Sequence, residues 1–149
     1  MTGFDVIDLN HLAIGYFDYN RGEVEDDFMP TIRKVLEYDS IVFATPVYWY
    51  TMSAVLKTFI DRLSDLLKWH KATGRQLRGK SMSIVSTSEE PNIEEEFAFP
   101  FERTAAYLGM DFLGHEHFHT TRGTLTPDVL TLMQEYAQQL LTSADIAET

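Results

Sequence analysis

The chain is 149 residues long, 44% hydrophobic and 23% charged, enough apolar material for one buried core and too much for a disordered segment. It has no cysteine, which excludes disulfide scaffolds, cysteine nucleophiles, thiolate zinc sites and iron–sulfur clusters. A net charge of −11 argues against nucleic acid and anionic membranes as partners, and no apolar run nears the ~18 residues that span a bilayer. Met1-Thr2-Gly3-Phe4-Asp5 carries no basic-then-apolar signal region, so the sequence predicts a cytoplasmic protein.

In chain order, residues 4–9 form a short strand candidate, followed by a loop over 10–22. Residues 23–38 carry Phe28, Ile32, Val35 and Leu36 at helical spacing, with Glu25, Asp26 and Asp27 in the expected first turn. The continuous run Ile41-Val42-Phe43-Ala44 suits a strand buried on both faces of a parallel sheet. The clearest helical stripe lies in 53–69, through Val55, Leu56, Phe59, Ile60, Leu63, Leu66 and Leu67. The cations between Lys68 and Lys80 read as that helix's C-terminus and a linker. Residues 80–87 form another strand candidate.

Asn92-Ile93-Glu94-Glu95 signals a helix start, and Leu108-Gly109 its left-handed end. Pro100 predicts a kink or a delayed start within it. Residues 110–119 are the last strand candidate, and Thr126-Pro127-Asp128 opens the final helix. Strand and helix alternate throughout. The pattern predicts one α/β domain over 1–149, a three-layer sandwich whose parallel sheet takes four strands from the chain.

Ligands of open parallel sheets sit beyond the carboxyl ends of the strands. One such end here carries Thr45-Pro46-Val47-Tyr48-Trp49-Tyr50, leading directly into the strong helix. Three consecutive aromatics cannot all enter the core. Exposed rings suit a flat conjugated ligand, a dimer contact or a loop anchor.

The stretch from Asp39 through Thr45-Pro46-Val47-Tyr48-Trp49, followed by Met52-Ser53-Ala54 and then Lys57 and Asp61-Arg62, resembles the signature of the NADPH-dependent FMN reductases, a flavodoxin-like family of NAD(P)H oxidoreductases. The resemblance extends more weakly over nearly the whole chain, including Asp26-Asp27 and the Tyr107–Met110 stretch. It implies a flavodoxin-like fold and FMN as cofactor, with NAD(P)H as electron donor. It also implies a small-molecule acceptor, such as a quinone or flavin, and a homodimer. Carried over by residue, it places Thr45, Pro46, Val47, Tyr48 and Trp49 beside the FMN ribityl chain and ring, and Thr87 and Ser88 on a second loop near the ring. Glu89 and Glu90 follow where relatives often have glycine. No catalytic side chain is implied. Adjacent residues on a helix point in different directions, so Asp61 and Arg62 are not an acid/base pair and read as structural or surface groups.

The family opens with a strand, a Ser/Thr/Gly-rich loop that holds the FMN phosphate, and a helix. In this sequence the first strand candidate already matches the family's second strand. The expectation is therefore a domain without the first strand, phosphate loop and first helix, which binds FMN weakly or not at all. His115, His117 and His119 share one face of the last strand candidate, and the spacing alone gives them no part in the cofactor site. Their pattern is weak evidence for a metal, and none is expected. Two rival readings stand beside the oxidoreductase: a flavodoxin-like electron carrier, and a non-catalytic module that has lost FMN.

Overall fold

The computed structural model describes residues 3–147, with side chains through residue 143. One sheet of four strands runs in the order β2-β1-β3-β4, with β1 Ser40–Tyr48, β2 Thr51–Met52, β3 Ser81–Ser88 and β4 Asp111–His119. β1, β3 and β4 are parallel, and β2 folds back antiparallel on the last two residues of β1. The helices are α1 Phe28–Val35, α2 Ala54–Arg62, α3 Ser64–Lys68, α4 Lys71–Gly74, α5 Phe99–Leu108 and α6 Pro127–Ala147. This is the flavodoxin-like α/β arrangement that the alternation predicts. No helix among the described residues is long and apolar enough to cross a membrane.

Several local expectations change, each for a physical reason. Residues 4–8 form no strand, because a strand exists only where a ladder pairs it, and none pairs this segment. Val6 is left 87% exposed. The segment is tied down instead by Tyr38, whose hydroxyl donates to Asp5, and it ends in a 3-10 turn over Leu9–His11 capped by Asp8. The fourth strand is instead the short β2.

The first helix starts at Phe28 rather than near residue 23, because Asp26 and Asp27 fold back to accept the Gly15 and Ala13 N–H groups. The long helical stripe breaks at Leu63 into α2 and α3. Pro100 delays its helix rather than kinking it: a 3-10 turn over Glu95–Ala98 precedes α5, and the proline sits in the first turn, where its missing N–H costs nothing. Gly109 closes α5 at φ 71°, with the Gly109 and Met110 N–H groups returning to Ala106 and Ala105.

The sheet is covered unevenly. On one face Ile41, Phe43, Met82, Ile84 and Phe112 meet α1, α2, α3 and α5 through Phe28, Ile32, Leu56, Phe59, Leu66 and Phe101. The Phe59 ring lies 5.3 Å from that of Phe28 and 6.1 Å from that of Phe43. On the other face Tyr136 of α6 packs on Phe118, and Ser83 is fully buried. Val42 is only half-buried and Ala44 is exposed. The run from Ile41 to Ala44 is therefore buried on one face and not on both, since no described helix covers β1 on the second face.

A buried guanidinium fastens the first third of the chain to this frame. Arg62, 1% exposed, donates from Nε and Nη2 to Asp65 Oδ2 at 2.9 and 2.7 Å, and from Nη1 to Asp26 Oδ2 at 2.6 Å. Nη1 also reaches the Gly15 carbonyl at 3.0 Å, and the guanidinium lies 4.8 Å above the Phe28 ring. Burial pushes the Asp26 carboxyl up, but hydrogen bonds from Arg62 and from the Gly15 and Phe28 N–H groups outweigh it and hold the group below the ordinary range.

Removing one partner of such a cluster strands buried charge. Arg62→Met is expected to lower unfolding free energy by about 3–5 kcal/mol in urea at pH 7. Because the folded Asp26 titrates lower than the unfolded, its stabilisation is present above about pH 4 and lost as pH falls through the folded value. Asp26→Asn is accordingly expected to be less stable than wild type at pH 7, with a smaller loss of stability below pH 4.

Candidate functional site at the carboxyl end of the sheet

Thr45 is buried, and its hydroxyl accepts from the Ser53 N–H at 3.0 Å while donating to the Pro46 carbonyl at 2.9 Å. Ser53 in turn caps α2 by accepting from the Leu56 N–H. These contacts close the base of the loop. Above them Val47 pairs with Met52 and Tyr48 with Thr51, which leaves two residues to reverse the chain.

Those two are Trp49 and Tyr50, at φ 49° and 65°. A type I′ hairpin turn demands positive φ at both central positions and is normally built from Asn and Gly. Side chains with a Cβ pay about 1–2 kcal/mol each in this region. The strain holds Trp49 at the tip, 90% exposed, with Tyr48 and Tyr50 exposed beside it.

The β1–β3 register places Thr45 beside Ser86 and Pro46 beside Thr87, so the aromatic hairpin and the loop after β3 leave the sheet side by side. Thr87 and Ser88 are half-buried, whereas Glu89 and Glu90 are exposed. The Ser88 hydroxyl closes a small turn, accepting from the Glu90 N–H and donating to its carbonyl, each at 3.2 Å.

Below this loop lies a cluster the sequence reading missed. Ser86 Oγ, fully buried, lies 2.6 Å from His115 Nε2 and 2.8 Å from His117 Nδ1. His117 Nε2 lies 2.9 Å from the Glu90 carbonyl. A carbonyl only accepts, so Nε2 of His117 carries a proton. In the neutral ring Nδ1 then accepts from Ser86, and Ser86 accepts from His115. The chain of donors runs from His115 through Ser86 and His117 to the Glu90 backbone. His115 also stacks on Phe97 with ring centroids 4.9 Å apart, and burial, helped by the nearby His117, lowers its pKa. These rings are engaged with serine, and among the described residues no group of three or more His, Asp or Glu side chains is placed to hold a metal ion.

A shift in strand register creates the cluster. Phe112 pairs with Met82, but Gly114, not Leu113, pairs with Ser83, so one extra residue enters β4. Gly114 takes φ 116°, which a side chain would resist. Beyond it His115, His117 and His119 stand opposite Ile84, Ser86 and Ser88. An unbroken register would turn all three to the other face.

Of the residues predicted to touch a cofactor, Tyr48 and Trp49 are free to meet a ring, and Pro46, Thr87 and Ser88 line the neighbouring loop bases. Thr45 spends its hydroxyl inside the loop and Val47 is held in the ladder. The exposed rings beside two loop backbones fit a flat isoalloxazine. At the start of α2 the Ser53 and Leu56 N–H groups are already bound by Thr45 and Ser53. Asp61 pairs with Lys57 on the surface and Arg62 is structural.

Residues 3–142 match the family described as having a flavodoxin-like fold, and the chain belongs to it. Among curated relatives, YwqN of Bacillus subtilis, provisionally named an NAD(P)H-dependent FMN-containing oxidoreductase, is 31% identical over 112 residues, 72% of this chain and 59% of YwqN. The chain thus spans less than two thirds of that relative's length. Two solved structures share the architecture. The Trp repressor binding protein of B. subtilis superposes with a TM-score of 0.65 at 30% identity, covering 78% of this chain and 73% of the other. The NADPH-quinone reductase of P. pentosaceus gives 0.61 at 25% identity, covering 74% and 73%.

If the hairpin is strained in order to display rings, relieving the strain should stabilise the fold. Tyr50→Gly is expected to raise unfolding free energy by about 1 kcal/mol in urea denaturation.

Proposed function

We propose that this chain is an FMN-dependent NAD(P)H oxidoreductase that passes electrons to a quinone, a flavin or a similar small acceptor. The observation that supports it best is the Trp49-Tyr50 turn, whose strain keeps aromatic rings exposed at the ligand edge of a parallel sheet. Membership of the flavodoxin-like family and the likeness to YwqN and to the NADPH-quinone reductase support the same chemistry. When bound, FMN supplies an isoalloxazine that accepts a hydride and yields electrons to the acceptor.

The chain's own residues bind and orient. Tyr48 and Trp49 meet the ring, the backbone of the Pro46–Trp49 segment borders it, and Thr87 and Ser88 approach its other side. The described residues form a single flavodoxin-like domain. The protein works in the cytoplasm as a homodimer, with the aromatic hairpin at or near the contact.

Titrating FMN while following tryptophan fluorescence tests this reading. Saturable quenching is expected, and Trp49→Ala is expected to weaken binding about two- to tenfold, the worth of one aromatic contact. Quenching without NADPH oxidation in the presence of a quinone would favour the electron carrier, and no quenching the module without cofactor. Light scattering at high concentration is expected to return twice the monomer mass.

A further inference from the structure

The Ser86–His117 cluster lies outside the machinery described so far, yet it is wired into one of the two candidate ligand loops. We propose that His117 is a positioning residue: its Nε2–H holds the Glu90 carbonyl and so sets where the Thr87–Glu90 loop stands at the sheet's carboxyl end. The part of this proposal that concerns cofactor rests on the flavin reading above.

The geometry carries the argument. The loop itself has little to hold it. Glu89 and Glu90 are exposed, and the Ser88 hydroxyl bonds to Glu90 within the turn and lies 3.2 Å from His117 Nε2. Thr87 and Ser88 are held in the β3–β4 ladder and by the Thr120 N–H, which donates to the Ser88 carbonyl at 2.7 Å, and beyond Ser88 the link to the frame is His117. Thr120 anchors the loop's base, whereas His117 reaches Glu90, two residues further out. His117 can do so because it is itself held at both ends, by the buried Ser86 hydroxyl on Nδ1 and by Glu90 on Nε2. Ser86 is fixed from its other side by His115, and His115 by the Phe97 ring. The series runs from the core outward and ends on a backbone atom of the loop, not on solvent.

This arrangement predicts which substitutions can replace the histidine. The amide nitrogen of Gln reaches about as far as Nε2 and can donate to Glu90. The amide oxygen of Asn sits near the place of Nδ1 and can accept from Ser86, but Asn is too short for Glu90. Gln should therefore preserve the loop, and Asn and Ala should not.

The readouts are cleavage between Glu89 and Glu90 by a glutamate-specific protease, followed by mass spectrometry, and FMN affinity measured on the same variants. Cleavage after Glu37, an exposed turn residue ahead of β1, is the reference for changes that are not confined to this loop. His117→Ala and His117→Asn are expected to speed Glu89–Glu90 cleavage about three- to tenfold, the worth of one hydrogen bond, and to leave Glu37 cleavage unchanged. His117→Gln is expected to match wild type, and FMN affinity should fall in the same order. Unchanged cleavage in His117→Ala, or a Gln variant as labile as Ala, would overturn the positioning role. Equal acceleration at Glu37 would also overturn it, because His117 would then be serving the fold as a whole. Should wild type take up no FMN, the flavin reading fails by itself, and the cleavage pattern still decides the loop's attachment.

Discussion

The structure depends on a guanidinium buried between two carboxylates. Arg62 stands at the end of α2, Asp65 one turn further on in α3, and Asp26 at the entry to α1. A charge in such a place is costly unless every donor is met, and here each nitrogen has a partner. The cluster links elements far apart in sequence. It fixes the break between α2 and α3, delivers the Phe28 ring to the core, and holds residue 15 of the long first loop against the helices.

With that corner fixed, the ligand edge follows from hydrogen bonds of modest size. Thr45, Ser53 and Leu56 form a short relay that binds the end of β1 to the start of α2. The relay makes the intervening loop tight enough that its tip must adopt backbone angles suited to Asn-Gly. Evolution has left Trp and Tyr there, which spends stability on exposure of rings. The neighbouring loop is organised differently, by a train of polar side chains rising from the core. One loop is therefore rigid through backbone constraint, and the other through side-chain contacts that can be altered singly.

Much of this was legible in the residues, and the exceptions share a cause. Alternation of apolar runs with helical stripes predicted the parallel sheet, and the aromatic triplet at a strand end marked the loop that forms the exposed hairpin. Residues 4–9 looked like a strand because composition reports what a segment would prefer, whereas a ladder needs a partner. The role of Arg62 was only partly visible. Its position after Asp61 argued against acid/base chemistry, but nothing local showed that it would be buried by a carboxylate 36 residues away. The contact between His117 and Ser86 was not visible because sequence spacing does not reveal what lies opposite, and Ser86 is 31 residues upstream.

The register shift at Leu113 and Gly114 has a consequence for how this strand tolerates change. It divides β4 into two segments of opposite phase, so that Phe112 and the histidines share a face despite an odd separation. A substitution in either segment is felt locally. A gain or loss of one residue at the junction is another matter, since it would exchange the inner and outer faces of everything downstream. Phe118 would then be turned away from Tyr136, and Glu116 would be carried towards Ser86 and the core. The length of this strand between Phe112 and His115 is thus under tighter constraint than the chemical character of its residues, and a pairwise alignment that places a gap there would describe a different site.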